Sequence, residues 1–134
     1  GVKQAGLPRD EALILKGDWF QESGRAAAQQ LLSMETPPTA IIAANDLMAF
    51  GVMEVAREMG LKIGTDLSVM GFDDVAMAGS VVPSLTTIRQ PMFQIGETAF
   101  GMLLEILEGR TPDPLHVRLQ TELIIRDSTG KAPV

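Results

Sequence analysis

Residues 38–51 read PTAIIAANDLMAFG, a pattern typical of a buried strand that leads directly into a helix. Residues 40–44 are all apolar, as expected of a parallel strand that is covered on both faces. Asn45 is a suitable N-cap for a helix that runs to Met59 and ends at Gly60. An apolar strand followed by such a helix is the repeating unit of an α/β fold.

Similar units lie on both sides of this one. Further strands are predicted at residues 13–16, 67–72 and 85–88, and further helices at residues 21–33 and 91–108. Residues 115–125 alternate between apolar and polar side chains, which predicts a strand or a long ribbon. The sequence therefore predicts an α/β fold of three layers (αβα), in which helices cover a parallel sheet.

Charge and residue usage exclude several functions. The 134-residue chain has a formal net charge of −6 and no basic stripe, so it is a poor DNA binder by itself. It has no cysteine, and His116 is its only histidine, without a second one as a metal partner. We expect neither a metal nor another cofactor. The apolar runs are too short to cross a bilayer and no export signal is visible, which favours the cytoplasm.

Ligand-binding groups follow the ends of the predicted strands. Trp19 follows the first strand, Asn45 the second, Asp73 the third and Gln90 the fourth. In a parallel sheet these ends share the carboxyl edge, where α/β folds bind their ligands. An indole can stack on a sugar or purine ring, while amide and carboxylate groups bind its polar substituents. The pattern suggests a receptor for a small, polar, ring-shaped molecule.

Each of these residues also has a plainer interpretation. Trp19 can be a core or interface aromatic, Asn45 only a helix cap, and Gln90 a hinge residue. The pair Asp73 and Asp74 is also compatible with catalysis or Mg²⁺ binding. However, adjacent strand residues point to opposite faces, and no third group is spaced to complete such a site. We therefore predict a binding protein and not an enzyme.

The second predicted helix also carries a candidate dimer contact. At ~100° per residue, Leu47 and Phe50 fall opposite the face that meets the sheet, with Met53 and Glu54 beside them. Exposed Leu and Phe one turn apart are typical of a contact patch, so we predict a homodimer surface here. The alternative is local cover by the loop of residues 75–82.

Residues 38–51 are one of four motifs that occur in a specific order. The others are GTDLSVMGFDD at residues 64–74, PSLTTIRQ at residues 83–90 and ELIIRDSTG at residues 122–130. Together they resemble the lactose/galactose-repressor (LacI/GalR) family of bacterial transcription regulators, whose signatures include P-T-A-hydrophobic-A-N-D-x-M-A-x-G and G-[FY]-D-D. The resemblance extends over nearly the whole chain.

The resemblance implies a receptor of two subdomains, like a type I periplasmic binding protein, preceded by a helix-turn-helix DNA reader. This chain would supply only the C-terminal effector-binding portion. Residues 1–89 and 121–134 would form the C-terminal subdomain, and residues 90–120 a helix and ribbon that belong to the N-terminal subdomain.

The same resemblance implies the function. Trp19, Asn45 and Asp73 would contact a sugar-like effector, Gln90 would complete the set, and the second predicted helix would form the homodimer. The effector would then control DNA binding by the absent helix-turn-helix, which is coupling between two sites. The alternative is a fragment of a periplasmic sugar-binding protein.

Overall fold

The computed structural model describes residues 4–6 and 8–132. Its helices are α1 (Gln21–Leu32), α2 (Asp46–Glu58) and α3 (Met92–Leu107), and its strands are β1 (Ala40–Ile42), β2 (Ser68–Asp73), β3 (Thr86–Arg89) and β4 (Glu122–Ile124). The sheet has the order β1-β2-β3-β4, in which the first three strands are parallel and β4 is antiparallel to β3. The predicted α/β class is confirmed, with an open, mixed sheet.

The strand predicted at residues 13–16 does not form. Glu11–Leu13 is a 3-10 turn, and the residues that follow it have no regular structure as far as Asp18. The Asp10 carboxylate accepts a hydrogen bond from the Ala12 amide, and the next two amides donate to the carbonyls of Asp10 and Glu11. These local bonds use the amides of residues 12–14 and give the start of the segment an alternative to pairing with the sheet.

As a result, β1 is an edge strand, and β2 is its only neighbour among the described residues. Ile41 and Ala43 are buried, but Ile42 is 78% exposed. The expectation that residues 40–44 are covered on both faces is therefore wrong. An apolar run shows that a strand is suited to burial, but the neighbours that supply the cover are specified elsewhere in the chain.

The core lies where α2 packs against the sheet and against α1. Nine residues of α2 are buried, including Phe50, Met53 and Val55, and they meet Val69 of β2 and Leu85. The two helices approach so closely that there is no room for a side chain at Gly24 or Gly51. A Cβ at either position would lie 2.1 Å from a backbone carbonyl oxygen of the other helix.

The C-terminal part of the described chain is tied to the sheet through Ser128. Its buried hydroxyl donates to the Val69 carbonyl and accepts from the Thr86 amide, so it joins β2 to β3. Of the ribbon predicted at residues 115–125, only Glu122–Ile124 forms a strand.

The helix α3 has no buried residue. Its apolar face is exposed, with Phe93 at 83% and Phe100 at 62%. None of the helices within residues 8–132 has the length and apolar character that a membrane crossing requires.

Candidate functional site

Three of the four predicted ligand residues lie at the same edge of the sheet. Asn45 follows β1, Asp73 is the last residue of β2, and Gln90 follows β3. Because these three strands are parallel, all three positions lie at the carboxyl edge. We call this edge, together with Trp19, the ligand rim.

Trp19 reaches the ligand rim without being at the end of a strand. The Asn45 side-chain amide donates a 2.9 Å hydrogen bond from Nδ2 to the Trp19 carbonyl oxygen. The Asn45 Oδ1 atom accepts from the Met48 amide at 2.9 Å, so the predicted helix cap is confirmed. Trp19 itself is 63% exposed, which leaves its indole available to stack on a ligand. The ligand contact of Asn45 stays a prediction.

Asp73 and Gln90 form the second pair of the rim. The Gln90 Nε2 atom donates to Asp73 Oδ1 at 2.6 Å. Among the described residues, no donor is bonded to the other carboxylate oxygen of Asp73, so that oxygen is available to a ligand hydroxyl. The amide of Gln90 therefore orients the carboxylate and leaves one side of it open.

The backbone is strained at the rim. Among the described residues, the only non-glycine residues with positive φ are Trp19 (73°), Asp73 (114°) and Asp74 (56°). Side chains with a Cβ rarely adopt this region, and the surrounding structure must hold them there. Such strain is concentrated at ligand-binding and catalytic sites, which favours a functional role for this edge.

Asp46, the first residue of α2, is fully buried and binds outside its own helix. The Thr87 hydroxyl donates to Asp46 Oδ1 at 2.6 Å, and the Val75 amide donates to Oδ2 at 2.9 Å. Burial raises the pKa of the Asp46 carboxyl, although these two hydrogen bonds oppose the rise. Sequence reasoning missed Thr87, because a threonine within a strand carries no signal of its partner.

Asp74 has a structural role that is separate from Asp73. Its carboxylate accepts from Arg126 at 2.7 Å and from Arg89 at 2.6 Å. Burial alone would raise the pKa of the Asp74 carboxyl, but the hydrogen bonds and charges of Arg126 and Arg89 outweigh it and lower the pKa. In the part of the chain that the structure describes, no three His, Cys, Asp or Glu side chains are grouped to hold a metal.

Two of the four residues of the predicted dimer patch on α2 are covered. Phe50 is 5% exposed and Met53 is 1% exposed, so the expectation that they face solvent is wrong. Both line a small cavity together with Met77 and Val81. The alternative of local cover by the loop of residues 75–82 therefore holds for these two side chains.

The other two members of the predicted patch remain accessible. Leu47 is 38% exposed. The side chain of Glu54 is 40% exposed and is bonded within the chain, to Gln21 at 2.6 Å and to Arg25 at 2.9 Å. Glu58 also binds Arg25, so these ion pairs connect α1 to α2.

Comparison with known proteins identifies the family. The periplasmic binding protein-like domain matches residues 1–129. The HTH-type transcriptional repressor PurR of Yersinia pestis (strain Pestoides F) is 39% identical over 132 residues, which are 98% of this chain and 39% of that protein. The chain thus spans about two fifths of the curated relatives that it matches.

Solved structures give the same result. A regulatory protein of the LacI family from Chloroflexus aggregans is 45% identical with a TM-score of 0.87, over 96% of this chain and 47% of that one. The transcriptional regulator CelR in complex with cellobiose is 33% identical with a TM-score of 0.89, over 95% of this chain and 39% of that one. This chain therefore belongs to the periplasmic-binding-protein-like domain family and is similar to the corresponding part of LacI-family transcriptional regulators.

Proposed function

We propose that this chain is the effector-binding and dimerisation part of a cytoplasmic LacI-family transcriptional repressor. The observation that carries the proposal is the ligand rim, where Asn45 is bonded to Trp19 and Asp73 to Gln90 at one sheet edge. Nothing in this arrangement provides a nucleophile with an adjacent base, so the rim suits binding and not catalysis.

The proposed effector is a sugar or a related polar ring. The exposed indole of Trp19 offers an apolar plate for one face of the ring, and Asn45, Asp73 and Gln90 offer donors and acceptors for its hydroxyls. The cellobiose in the complex of the neighbour CelR supports this class of ligand.

The proposed route of control passes through the end of β3. Gln90 is followed by Pro91, the N-cap of α3, and α3 has no buried residue that would fix its direction. An effector held by Gln90 therefore sits where residues 90–120 leave the sheet, and we propose that these residues belong to the second subdomain of the receptor. Closure of the two subdomains on the effector would change the affinity of a separate helix-turn-helix segment for DNA.

The proposed homodimer uses the accessible part of α2. Leu47 supplies the exposed apolar contact and Glu54 the polar one, while Phe50 and Met53 support the surface from beneath. Because the last two are buried in the chain, they contribute to packing of the surface and touch the partner less than the sequence predicted.

The ligand rim is tested by nuclear magnetic resonance of the chain labelled with ¹⁵N. Trp19 is the only tryptophan, so its indole gives one cross-peak that reports directly on the rim. We expect this peak to shift on titration with a panel of mono- and disaccharides that includes cellobiose. Because this chain would form only one side of a cleft between two subdomains, a Kd in the millimolar range is expected, which corresponds to a binding free energy of about −4 kcal/mol.

The controls separate binding at the rim from general effects of sugar. Asp73→Asn and Asn45→Ala should reduce the shift at a given sugar concentration. Glu35→Gln should not, because Glu35 is an exposed carboxylate before β1, at the opposite edge of the sheet. Equal shifts in all three variants, or no shift with any sugar, would contradict the proposal. A nanomolar Kd would contradict the proposal that this chain forms only one side of the cleft.

A further inference from the structure

Asp46 connects the start of α2 to β3 and to the segment that follows β2. It directly follows Asn45 after β1, and its buried carboxylate accepts from Thr87 in β3 and from the Val75 amide beyond β2. The β2 backbone also lies directly against it, because a Cβ at Gly71 would be 2.2 Å from Asp46 Oδ1.

The turn that Asp46 holds is the strained one. Asp73 and Asp74 have positive φ in succession, and the next amide in the chain is the Val75 N–H that Asp46 binds. The Asp74 amide also donates to the Thr87 hydroxyl, at 3.4 Å. A turn of this kind persists only when its surroundings hold it, and Asp46 with Thr87 provides acceptors for both amides.

We propose that Asp46 and Thr87 are positioning residues, which hold the turn at Asp73–Val75 so that the Asp73 carboxylate faces the ligand. This inference rests on the proposed function of the rim as an effector site. It gives Asp46 a role that its neighbour Asn45 does not have, since Asn45 bonds to Trp19 and to its own helix. The rim is then preorganised before the effector arrives, which strengthens binding without adding a contact.

The hydrogen-bond chemistry predicts which variants retain the geometry. Asp46→Asn keeps an oxygen for the Val75 amide and presents an N–H to the Thr87 hydroxyl oxygen, so it should preserve the turn. Asp46→Ala leaves both donors unbonded. Thr87→Ser keeps the hydroxyl, whereas Thr87→Val removes it at nearly constant volume. Each position therefore has one conservative and one disruptive variant.

The first readout is amide hydrogen exchange in the chain without ligand. Asp46→Ala should accelerate exchange of the Val75 amide by about tenfold or more relative to the Val69 amide, and Asp46→Asn should not. In the same way, Thr87→Val should accelerate exchange of the Asp74 amide relative to the Val69 amide, and Thr87→Ser should not. Val55→Ala is the matched control, since it removes a buried side chain from α2 and should accelerate both amides equally. If Asp46→Ala accelerates exchange of the Val75 and Val69 amides equally, the proposal is overturned.

The second readout is the affinity for cellobiose, measured by the indole cross-peak under conditions where every variant is folded. Asp46→Ala should weaken binding by about tenfold, while Asp46→Asn and Val55→Ala stay within about threefold of the unmodified chain. If Asp46→Ala binds as well as Val55→Ala, the residue is only structural and the proposal fails. If the unmodified chain does not bind cellobiose, the assignment of that sugar fails, and the exchange comparison alone decides the positioning role.

Discussion

Gly24 of α1 and Gly51 of α2 allow the closest contact between two helices in this domain, and replacing either with alanine should be destabilising. A Cβ at Gly24 would lie 2.1 Å from the Met48 carbonyl oxygen, and a Cβ at Gly51 would lie 2.1 Å from the Gln21 carbonyl oxygen. Both neighbours are helix backbone, which cannot rotate away as a side chain can. The helices must therefore move apart by more than 1 Å to restore an ordinary contact of about 3.4 Å or more.

The expected change in the free energy of unfolding has two parts of opposite sign. Overpacking of a well-packed contact costs about 3 kcal/mol at the upper end of its usual range. Alanine is favoured over glycine within a helix by about 1 kcal/mol. Gly24→Ala and Gly51→Ala should each lower the free energy of unfolding by about 2 kcal/mol. For a chain of this length that corresponds to a decrease in Tm of about 8 °C.

The chain offers a matched control for this substitution. Gly96 and Gly101 lie in α3, and a Cβ at either position has nothing within 4 Å. Gly96→Ala should therefore leave the free energy of unfolding unchanged or raise it by up to about 1 kcal/mol. Urea unfolding followed by far-ultraviolet circular dichroism measures both variants. If Gly24→Ala is as stable as the unmodified chain, the close helix contact is not as described.

This contact also matters for the ligand rim. It brings the start of α1, next to Trp19, beside the start of α2, where Asn45 donates to the Trp19 carbonyl. Separation of the helices should break that bond, so Gly24→Ala should move the indole cross-peak of Trp19 even without a ligand. Gly96→Ala should leave the peak in place.

Three more predictions concern charge, assembly and the exposed helix. The pKa of the Asp74 carboxyl is lowered from 3.8, so its ion pairs stabilise the fold above that pH and are lost as pH falls through the folded pKa. The urea midpoint of Asp74→Asn should therefore lie below that of the unmodified chain at neutral pH and converge with it in acid. A difference that is constant with pH would contradict this. Leu47→Glu should shift the sedimentation profile towards monomer without changing the free energy of unfolding. Phe50→Ala should instead lower the free energy of unfolding by about 3 kcal/mol or more, because its ring is buried. An unaltered sedimentation profile for Leu47→Glu would exclude this surface as the dimer contact. The double variant Phe93→Ser/Phe100→Ser should change the free energy of unfolding by less than about 0.5 kcal/mol, since both rings are exposed. It should also bind less of a hydrophobic dye. A large loss of stability would show that α3 is packed against the rest of the chain.

The local patterns of the sequence predicted most of the regular structure. The three long helices and the strands β1, β2 and β3 lie within about two residues of their predicted bounds. The cap at Asn45 and the glycine after α2 were also predicted, since both depend on residues adjacent in the chain. Order along the chain together with the family motifs was enough to place Asn45, Asp73 and Gln90 at one edge.

The errors arose where a distant segment decides the result. Helical periodicity placed Phe50 on the outer face of α2, but the loop of residues 75–82 covers that face. Residues 13–16 have the composition of a strand, yet the Asp10 cap gives their neighbours a local alternative. Asp46 binds Thr87, which is 41 residues away, and no spacing rule connects two such positions.

The most direct test of the ligand rim is the proximity of Asp73 to Trp19 in solution. The chain has no cysteine and one tryptophan, so a bimane fluorophore can be placed on a single introduced thiol and quenched by a single indole. Bimane attached after Asp73→Cys should be strongly quenched, and the quenching should disappear when Trp19→Phe is added. Bimane attached after Glu35→Cys, at the opposite edge of the sheet, should not be quenched. If the two positions give equal fluorescence, Trp19 and Asp73 do not share a rim and the receptor assignment fails.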